Sequence, residues 1–300
     1  MTSILTLGAV SKRYGAFQAV KDLSFSVQKG AIVGFLGPNG AGKTSTIRMI
    51  LGLAAPTSGR IEVLGADDGR KVRDRIGFLP EERGLYRKMT PVDAVAYMAA
   101  LKGVPMAEGR RRARELLEEQ GLGDALKRPM KALSKGMAQK VQLVSAIAHR
   151  PELVILDEPF SGLDPVNQQG LERMIRGLAD QGATVLFSTH VMQHAERLCQ
   201  KVVLMARGAK VFEGPVAEAR AAAPRFLIVE GALEAAAIQA LPGVVEIEPT
   251  DAGFRARLVA GAQPQAALKA AFERGLDVTR FEAPEPSLHD AFIVLTGDAR

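Results

Sequence analysis

Residues 37–45 read Gly37-Pro38-Asn39-Gly40-Ala41-Gly42-Lys43-Thr44-Ser45 and satisfy the phosphate-binding pattern G-x-x-x-x-G-K-[ST] at each fixed position. Glycines in such a loop let backbone N–H groups and a helix N-terminus converge on one anion. Lys43 is then placed to reach the β- and γ-phosphates of a nucleoside triphosphate, and Thr44 to give Mg²⁺ a hydroxyl. A second constellation, Asp157-Glu158-Pro159, follows the apolar run Leu153-Val154-Ile155-Leu156. A carboxylate at the end of a buried strand can hold Mg²⁺ through water, which is the role expected of Asp157. Glu158, one residue on, is expected to polarise the attacking water, and Pro159 fixes how the chain leaves the strand. A phosphate loop alone leaves kinases, GTPases, helicases and transport ATPases open. Joined to the acidic pair, it points to binding and hydrolysis of a nucleoside triphosphate.

These residues need a scaffold, and the pattern around them supplies one. The apolar run 31–36 reads as a buried strand, and residues 44–51 as a helix with Ile47, Ile50 and Leu51 at helical spacing. Strands are expected at 4–10 and 17–27, joined through 11–15, and again at 60–64 and 75–79. Residues 90–148 show no convincing strand. Helices are expected there over 90–102, 106–120 and 136–149, the first with Thr90 as cap and Pro91 at its first position. Strand 153–156, helix 165–180, strand 184–188, helix 191–199 and a hairpin at 202–205 and 210–212 complete a mostly parallel sheet with covered faces.

Residues 213–224 read as a connection, after which the pattern resets to strand, helix, strand, strand, helix, strand over 226–281. That order is the split ferredoxin-like arrangement, and residues 287–296 add a last helix. The expected class is α/β with a mixed sheet and a helical subdomain, followed by a small α+β ferredoxin-like domain. The tail has no cluster of catalytic residue types and is read as a packing or regulatory domain.

Three hundred residues allow about two domains. No run of about 18 apolar residues predicts a membrane span, and Met1-Thr2-Ser3-Ile4 opens without the pattern of a secretory signal. The single Cys199 cannot close an internal disulfide, in keeping with a reducing compartment, and is read as a buried or idle thiol. The chain carries a formal net charge of +6, with basic clusters at Arg70-Lys71, Arg110-Arg111-Arg112 and Lys127-Arg128 with Lys131. Such clusters suit an anionic membrane face or nucleic acid, but acids stand near, and solvated helix faces are the favoured reading.

Further residues resemble one family, the ATP-binding cassette (ABC) ATPases. Leu133-Ser134-Lys135-Gly136-Met137-Ala138-Gln139-Lys140 is similar to its signature, commonly LSGGQ. Ser161-Gly162-Leu163-Asp164 matches the loop after the acidic pair, His190 the switch histidine, and Tyr14 the aromatic that stacks on adenine. The resemblance covers residues 4–213 with its motifs in the family's order. It implies a P-loop ABC ATPase using ATP and Mg²⁺, with a nucleotide-binding domain at 1–215, a helical subdomain at about 84–150 and an accessory domain at 224–300. It also implies two nucleotide-binding subunits, here expected as a homodimer, closing head-to-tail around ATP. Ser134 and Gly136 of one would then face phosphates held by Gly37, Pro38, Asn39, Gly40, Ala41, Gly42, Lys43, Thr44 and Ser45 of the other. Asp164 would couple the two sites, and His190 would hold the γ-phosphate or the water.

Two departures stand out. The family's usual Gln after the strand at 75–79 is Glu81, a carboxylate that suits Mg²⁺ or water but cannot donate as an amide does. The signature has Lys135 for Gly and Met137 for Gln. A single cassette without membrane spans implies a separate integral-membrane permease and a place on the cytoplasmic face of the cell membrane, with no nucleic-acid partner. Pro286-Ser287-Leu288-His289-Asp290-Ala291-Phe292 resembles the accessory domain of drug, antibiotic or sodium-export cassettes, which favours export. The alternative is a soluble cassette acting on ribosomes or nucleic acid, though such chains usually carry two cassettes or a long coiled coil. A small-molecule kinase leaves the signature and His190 unexplained.

Overall fold

Strands β1 (Ser3–Tyr14) and β2 (Phe17–Gln28) open the chain in the computed structural model, which describes residues 2–82, 84 and 86–297. The expected domain limits at Met1 and Arg300 lie outside the described residues, as does Leu85 near the start of the helical insert. There follow β3 (Ile32–Leu36), α1 (Lys43–Ile50), β4 (Ser58–Val63), a 3-10 segment (Gly69–Arg75) and β5 (Ile76–Leu79). The insert supplies α2 (Pro91–Ala100), α3 (Met106–Glu119) and α4 (Lys135–Ile147). Then come β6 (Leu153–Asp157), α5 (Pro165–Asp180), β7 (Thr184–Thr189), α6 (Met192–Leu198), β8 (Lys201–Ala206) and β9 (Ala209–Pro215).

The chain divides into two compact units, Met1–Pro215 and Val216–Arg300. In the first, β5-β6-β7-β3-β8 run parallel and β9 closes the edge antiparallel, so the sheet is mixed as expected. Each residue of β3, β6 and β7 is buried, which is what near-continuous Val, Ile, Leu and Phe dictate for strands covered on both faces. A second, antiparallel sheet of order β2-β1-β4 joins the same core, with Phe25 stacked on Phe35 at 5.4 Å between ring centroids. Strand β1 continues to Tyr14, and the expected connection shrinks to a turn at Gly15-Ala16 because Arg13 and Tyr14 pair with Gln18 and Phe17.

The insert is helical as read. Thr90 accepts from the Asp93 N–H and Pro91 starts α2. A Cβ at Gly109 of α3 would lie 3.3 Å from the Ala96 backbone, so small residues let α2 and α3 approach closely.

In the second unit, α7 (Val216–Ala221) is followed by β10 (Phe226–Gly231), α8 (Ala235–Gln239), β11 (Val244–Thr250), β12 (Gly253–Leu258), α9 (Pro264–Glu273), β13 (Val278–Glu282) and α10 (Leu288–Thr296). The sheet order β11-β12-β10-β13, antiparallel throughout, is the ferredoxin-like arrangement. Leu227, Val229, Ala256 and Leu258 pack under Ile238, Ala267 and Ala271. Helix α7 occupies the stretch expected as a connection. It packs with α10, and the Arg220 Nε donates to the Pro286 carbonyl at 2.6 Å. That contact lies far off in sequence, which is why local pattern missed the helix.

Candidate functional site

The buried strand β3 delivers the chain into the phosphate loop at its carboxyl end, where the Gly37 N–H donates to the Thr189 carbonyl at 3.3 Å. Gly37 has φ 154° and a Cβ there would lie 2.2 Å from the Met205 carbonyl oxygen; Gly42 has φ 101° and would meet the Ala19 carbonyl at 2.6 Å. Both glycines are therefore forced by backbone on the sheet side. Gly40, at φ 80°, has nothing within 4 Å of its missing Cβ, so the loop's tip is open. Helix α1 starts at Lys43 with no side chain capping it, leaving its first N–H groups for an anion. The Lys43 ammonium donates to the carbonyls of Gly37 at 2.6 Å and Pro38 at 3.2 Å, curled along the same loop.

Parallel pairing sets β7 between β3 and β6, with the ends of β6 and β7 in register, Asp157 against Ser188. The Ser188 hydroxyl donates to Asp157 Oδ1, and the Glu158 N–H donates to both the Ser188 carbonyl and its hydroxyl. These bonds hold Glu158 at φ 46°, a left-handed conformation that is costly for a non-glycine residue. The result is a carboxylate aimed by its backbone, 7 % exposed. Its Oε1 lies 3.5 Å from the Lys43 ammonium and makes no hydrogen bond, while Oε2 is 3.0 Å from His190 Nδ1. A buried carboxylate oxygen without a donor carries a desolvation penalty unless a ligand group supplies one. Lys43, Glu158 and His190 thus form one chain of contacts at the strand ends.

The remaining expected residues form a second group. The Ser134 hydroxyl caps α4 by accepting from the Met137 N–H at 3.3 Å, and its own O–H stays free to donate elsewhere. Asp164 caps α5, accepting from the Asn167 N–H at 3.0 Å and from Asn167 Nδ2 at 2.6 Å, and these bonds hold its carboxyl below the usual range. Asn167 in turn covers Gly136, where a Cβ would lie 2.5 Å from its Nδ2. Lys135 reaches back over Gly162, a turn glycine at φ 66°. So the signature segment and the loop at 161–164 interlock within one chain. Among the described residues, no hydrogen bond or ion pair joins Ser134, Gly136 or Asp164 to residues 37–45.

Gln139 ties the two groups. It is buried on α4 and its Nε2 donates to the Pro159 carbonyl at 3.0 Å. Together with Glu81, Glu82, Lys135, Glu158 and Ser161 it lines a cavity of about 630 Å³, which puts Glu81 on the same space as Glu158. Tyr14, half exposed at the end of β1, carries the Lys12 ammonium 5.0 Å from its ring centroid. Ser188, Gln139 and Asn167 were not singled out from sequence. Gln139 stands inside the quoted signature segment and Ser188 at the end of an expected strand, but their partners are 20 or more positions away.

Three residues take packing roles. His149 Nε2 meets the Ile76 carbonyl at 3.2 Å, and burial depresses its pKa to about 4. His194 stacks on Phe160 at 4.0 Å, and burial lowers its pKa as well. A Cβ at Gly34 would lie 3.1 Å from Cys199 Sγ, and burial pushes that thiol's pKa up, so it stays protonated.

The uncapped helix N-terminus and the ammonium beside it fit the phosphates of a nucleoside triphosphate, and the buried carboxylate oxygen lacking a donor fits a water next to them. For Mg²⁺ the fit rests on hard oxygen donors, the Thr44 hydroxyl and the Asp157 oxygen not engaged by Ser188. No group of three or more His, Cys, Asp or Glu able to hold a metal occurs among the described residues.

Residues 20–161 match the family described as ABC transporter, and residues 214–296 match the C-terminal domain of ATP-binding proteins described as DrrA1-3-like. The uncharacterized ABC transporter ATP-binding protein YhaQ of Bacillus subtilis is 37% identical over 98% of this chain and 99% of its own length. The linearmycin resistance ATP-binding protein LnrL of the same organism is 32% identical over 96% of each chain. A solved structure described as the ATP binding subunit of an ABC transporter superposes with a TM-score of 0.67 at 35% identity, over 72% of this chain and 92% of that one. Among the described residues, no helix is long and apolar enough to cross a membrane. The chain belongs to the ABC transporter ATP-binding proteins, the ATPase subunits that work with a membrane permease.

Proposed function

We propose that this subunit binds ATP with Mg²⁺ between two copies of itself and hydrolyses it to drive export through a separate permease, from the cytoplasmic face of the membrane. The observation that carries the reading is the division of the site into two groups within one chain. Lys43, Glu158 and His190 are joined, whereas among the described residues Ser134, Gly136 and Asp164 make no hydrogen bond or ion pair to the phosphate loop. A second chain turned head-to-tail is what brings a signature group to a phosphate loop.

In this reading the residues 37–45 cradle the phosphates through their N–H groups, and Lys43 leaves the Gly37 and Pro38 carbonyls for the β- and γ-phosphates. Tyr14 stacks on the base. The partner copy adds the Ser134 hydroxyl and the N–H groups at the start of α4 near Gly136, whose positive helix end faces the γ-phosphate. Thr44, Asp157 and Glu81 would hold Mg²⁺, which would supply positive charge against the phosphate oxygens. Glu158 takes the proton of the attacking water, and His190, 3.0 Å from it, orients the carboxylate. Phosphoryl transfer asks chiefly for such positioning and charge neutralisation. Asp164 couples the two sites through the Asn167 clamp on Gly136. Export is supported by the match of residues 214–296 to the DrrA1-3-like domain and by the resistance protein among the relatives. Relatives named for transporters disfavour the reading as a soluble ribosome-acting cassette.

The test is Glu158→Gln. With ATP it is expected to elute as a dimer on size exclusion while hydrolysis falls by about 10²- to 10⁴-fold. Hydrolysis at the parent rate removes the base assignment, and a monomer at saturating ATP removes the shared site.

A further inference from the structure

Helix α6 carries a histidine four positions after His190, and its ring is held from three sides. His194 is buried. Its Nδ1 lies 3.3 Å from Glu172 Oε1 of α5 and 3.1 Å from Arg197 Nη2. Arg197 closes the triangle by pairing with Glu172 Oε1 at 3.0 Å. One flat face of the His194 ring lies against Phe160, with centroids 4.0 Å apart and planes 15° from parallel. Phe160 in turn meets Phe187 of β7 edge to face at 5.9 Å.

Phe160 is two residues past Glu158, and the backbone between them is tightly wound. The Ser161 N–H donates to the Glu158 carbonyl at 3.1 Å, and the Leu163 N–H to the Phe160 carbonyl at 3.2 Å. Phe160 therefore belongs to two successive turns, and moving its ring moves the backbone that aims Glu158. Glu158 stands at φ 46°, a conformation that persists only where its surroundings over-determine it. Ser188 restrains it from β7, and Gln139 holds the Pro159 carbonyl. The buried Phe160 ring, between Phe187 and His194, supplies a third restraint. Burial lowers the pKa of His194 while the Glu158 carboxylate pulls it the other way, so the two side chains are close enough to interact. A ring that is neutral at about pH 7.5 brings no charge to Glu158. What it brings is a flat, fixed face.

We propose that His194 is a positioning residue for hydrolysis: fixed in plane by Glu172 and Arg197, its ring holds Phe160, and through Phe160 the left-handed Glu158 whose carboxylate meets His190 at 3.0 Å. The inference rests on the reading of Glu158 as the group that takes the proton of the attacking water. An aliphatic side chain could fill the space behind Phe160, but stacked rings also fix each other's plane. The polar edge of His194 adds what a phenyl ring lacks, an anchor to a buried charged pair on α5 and α6. The stack thus ties the turn after β6 to the helix that follows His190. A displacement of about 1 Å in such a group, remote from the reacting atoms, can lower turnover by roughly 10²-fold. It leaves residues 37–45 untouched, so the effect falls on the chemical step and spares nucleotide binding.

The experiment is ATP hydrolysis by the full chain at about pH 7.5, with kcat and KM read separately. His194→Ala is expected to lower kcat by roughly 10- to 100-fold while KM for ATP stays within about twofold of the parent. His194→Phe keeps a flat ring against Phe160 and should recover kcat to within about fivefold of the parent. His194→Leu, which fills the space without a flat face, should not recover it. Both fill the site, so their comparison decides the matter even where His194→Ala fails to fold. Glu158→Gln/His194→Ala, followed in single turnover, should hydrolyse at the rate of Glu158→Gln alone, because a residue acting through Glu158 has nothing left to position. Parental kcat in His194→Ala, a loss carried by KM, no difference between His194→Phe and His194→Leu, or a full further loss in the double variant overturns the proposal. Glu158→Gln impaired with His194→Ala at the parent rate removes this proposal and leaves the base assignment. Glu158→Gln at the parent rate removes the base assignment, and this proposal with it.

Discussion

The two sheets at the centres of the two units use charge in opposite ways. In the first unit β3, β6 and β7 are buried on both faces, so charged side chains have no place along them and collect at the carboxyl ends. There Asp157 and Glu158 are 3 % and 7 % exposed, oriented by Ser188, His190 and Lys43. In the second unit one sheet face is open, and charge runs along it. Arg257 pairs with Glu246 at 2.7 Å, and Arg280 with Glu230 and Glu282 at 3.1 and 2.7 Å. Few and buried charges, each with an assigned partner, make a site. Many exposed ones, paired along and across strands, make a solvated surface worth little individually.

That contrast can be tested by substitution. The largest effect is expected at Lys43→Ala, which removes the ammonium beside the phosphate loop and should weaken nucleotide affinity by about 10- to 100-fold. Titration with a fluorescent ATP analogue reads it, and parental affinity would detach the loop from nucleotide binding. Gly37→Ala should destabilise the first unit by about 1–3 kcal/mol, because its Cβ would strike the Met205 carbonyl at 2.2 Å. A denaturant melt with an unchanged midpoint would mean the loop yields where the contact says it cannot.

His149 gives a smaller, pH-dependent effect. Its folded pKa of about 4 lies below the ordinary 6.5, so the unfolded chain binds its proton first. Its stabilising contribution is complete above about pH 6.5 and is lost as pH falls toward 4, on the order of 2 kcal/mol once solvent screening is allowed for. His149→Gln should flatten the stability profile over that window, as urea melts at a series of pH values would show. The smallest effect belongs to the open face of the second unit. Arg257→Gln should change stability by about 0.5 kcal/mol or less, and a shift of several kcal/mol would mean that the charge ladder holds that sheet together.

Much of this was legible before the fold. The phosphate loop, the acidic pair after four apolar residues and the helices of the insert are local patterns, and local backbone physics placed them within a residue or two. The 3-10 segment at Gly69–Arg75, α7 and the full length of β1 were not legible. Each depends on partners elsewhere, such as Pro286 for Arg220 on α7 or Phe17 for Tyr14. The same reason hid Ser188 under Asp157, Asn167 over Gly136 and Gln139 on Pro159.

Residue type and spacing alone determined the phosphate-loop pattern and the acidic pair after an apolar strand, because those features lie within a few positions of each other. Tertiary structure decided which carboxylate oxygen lacks a donor and which helix start stands apart from the loop it resembles a partner for. Those depend on distances across the sheet and between loops, and a one-dimensional pattern does not contain them.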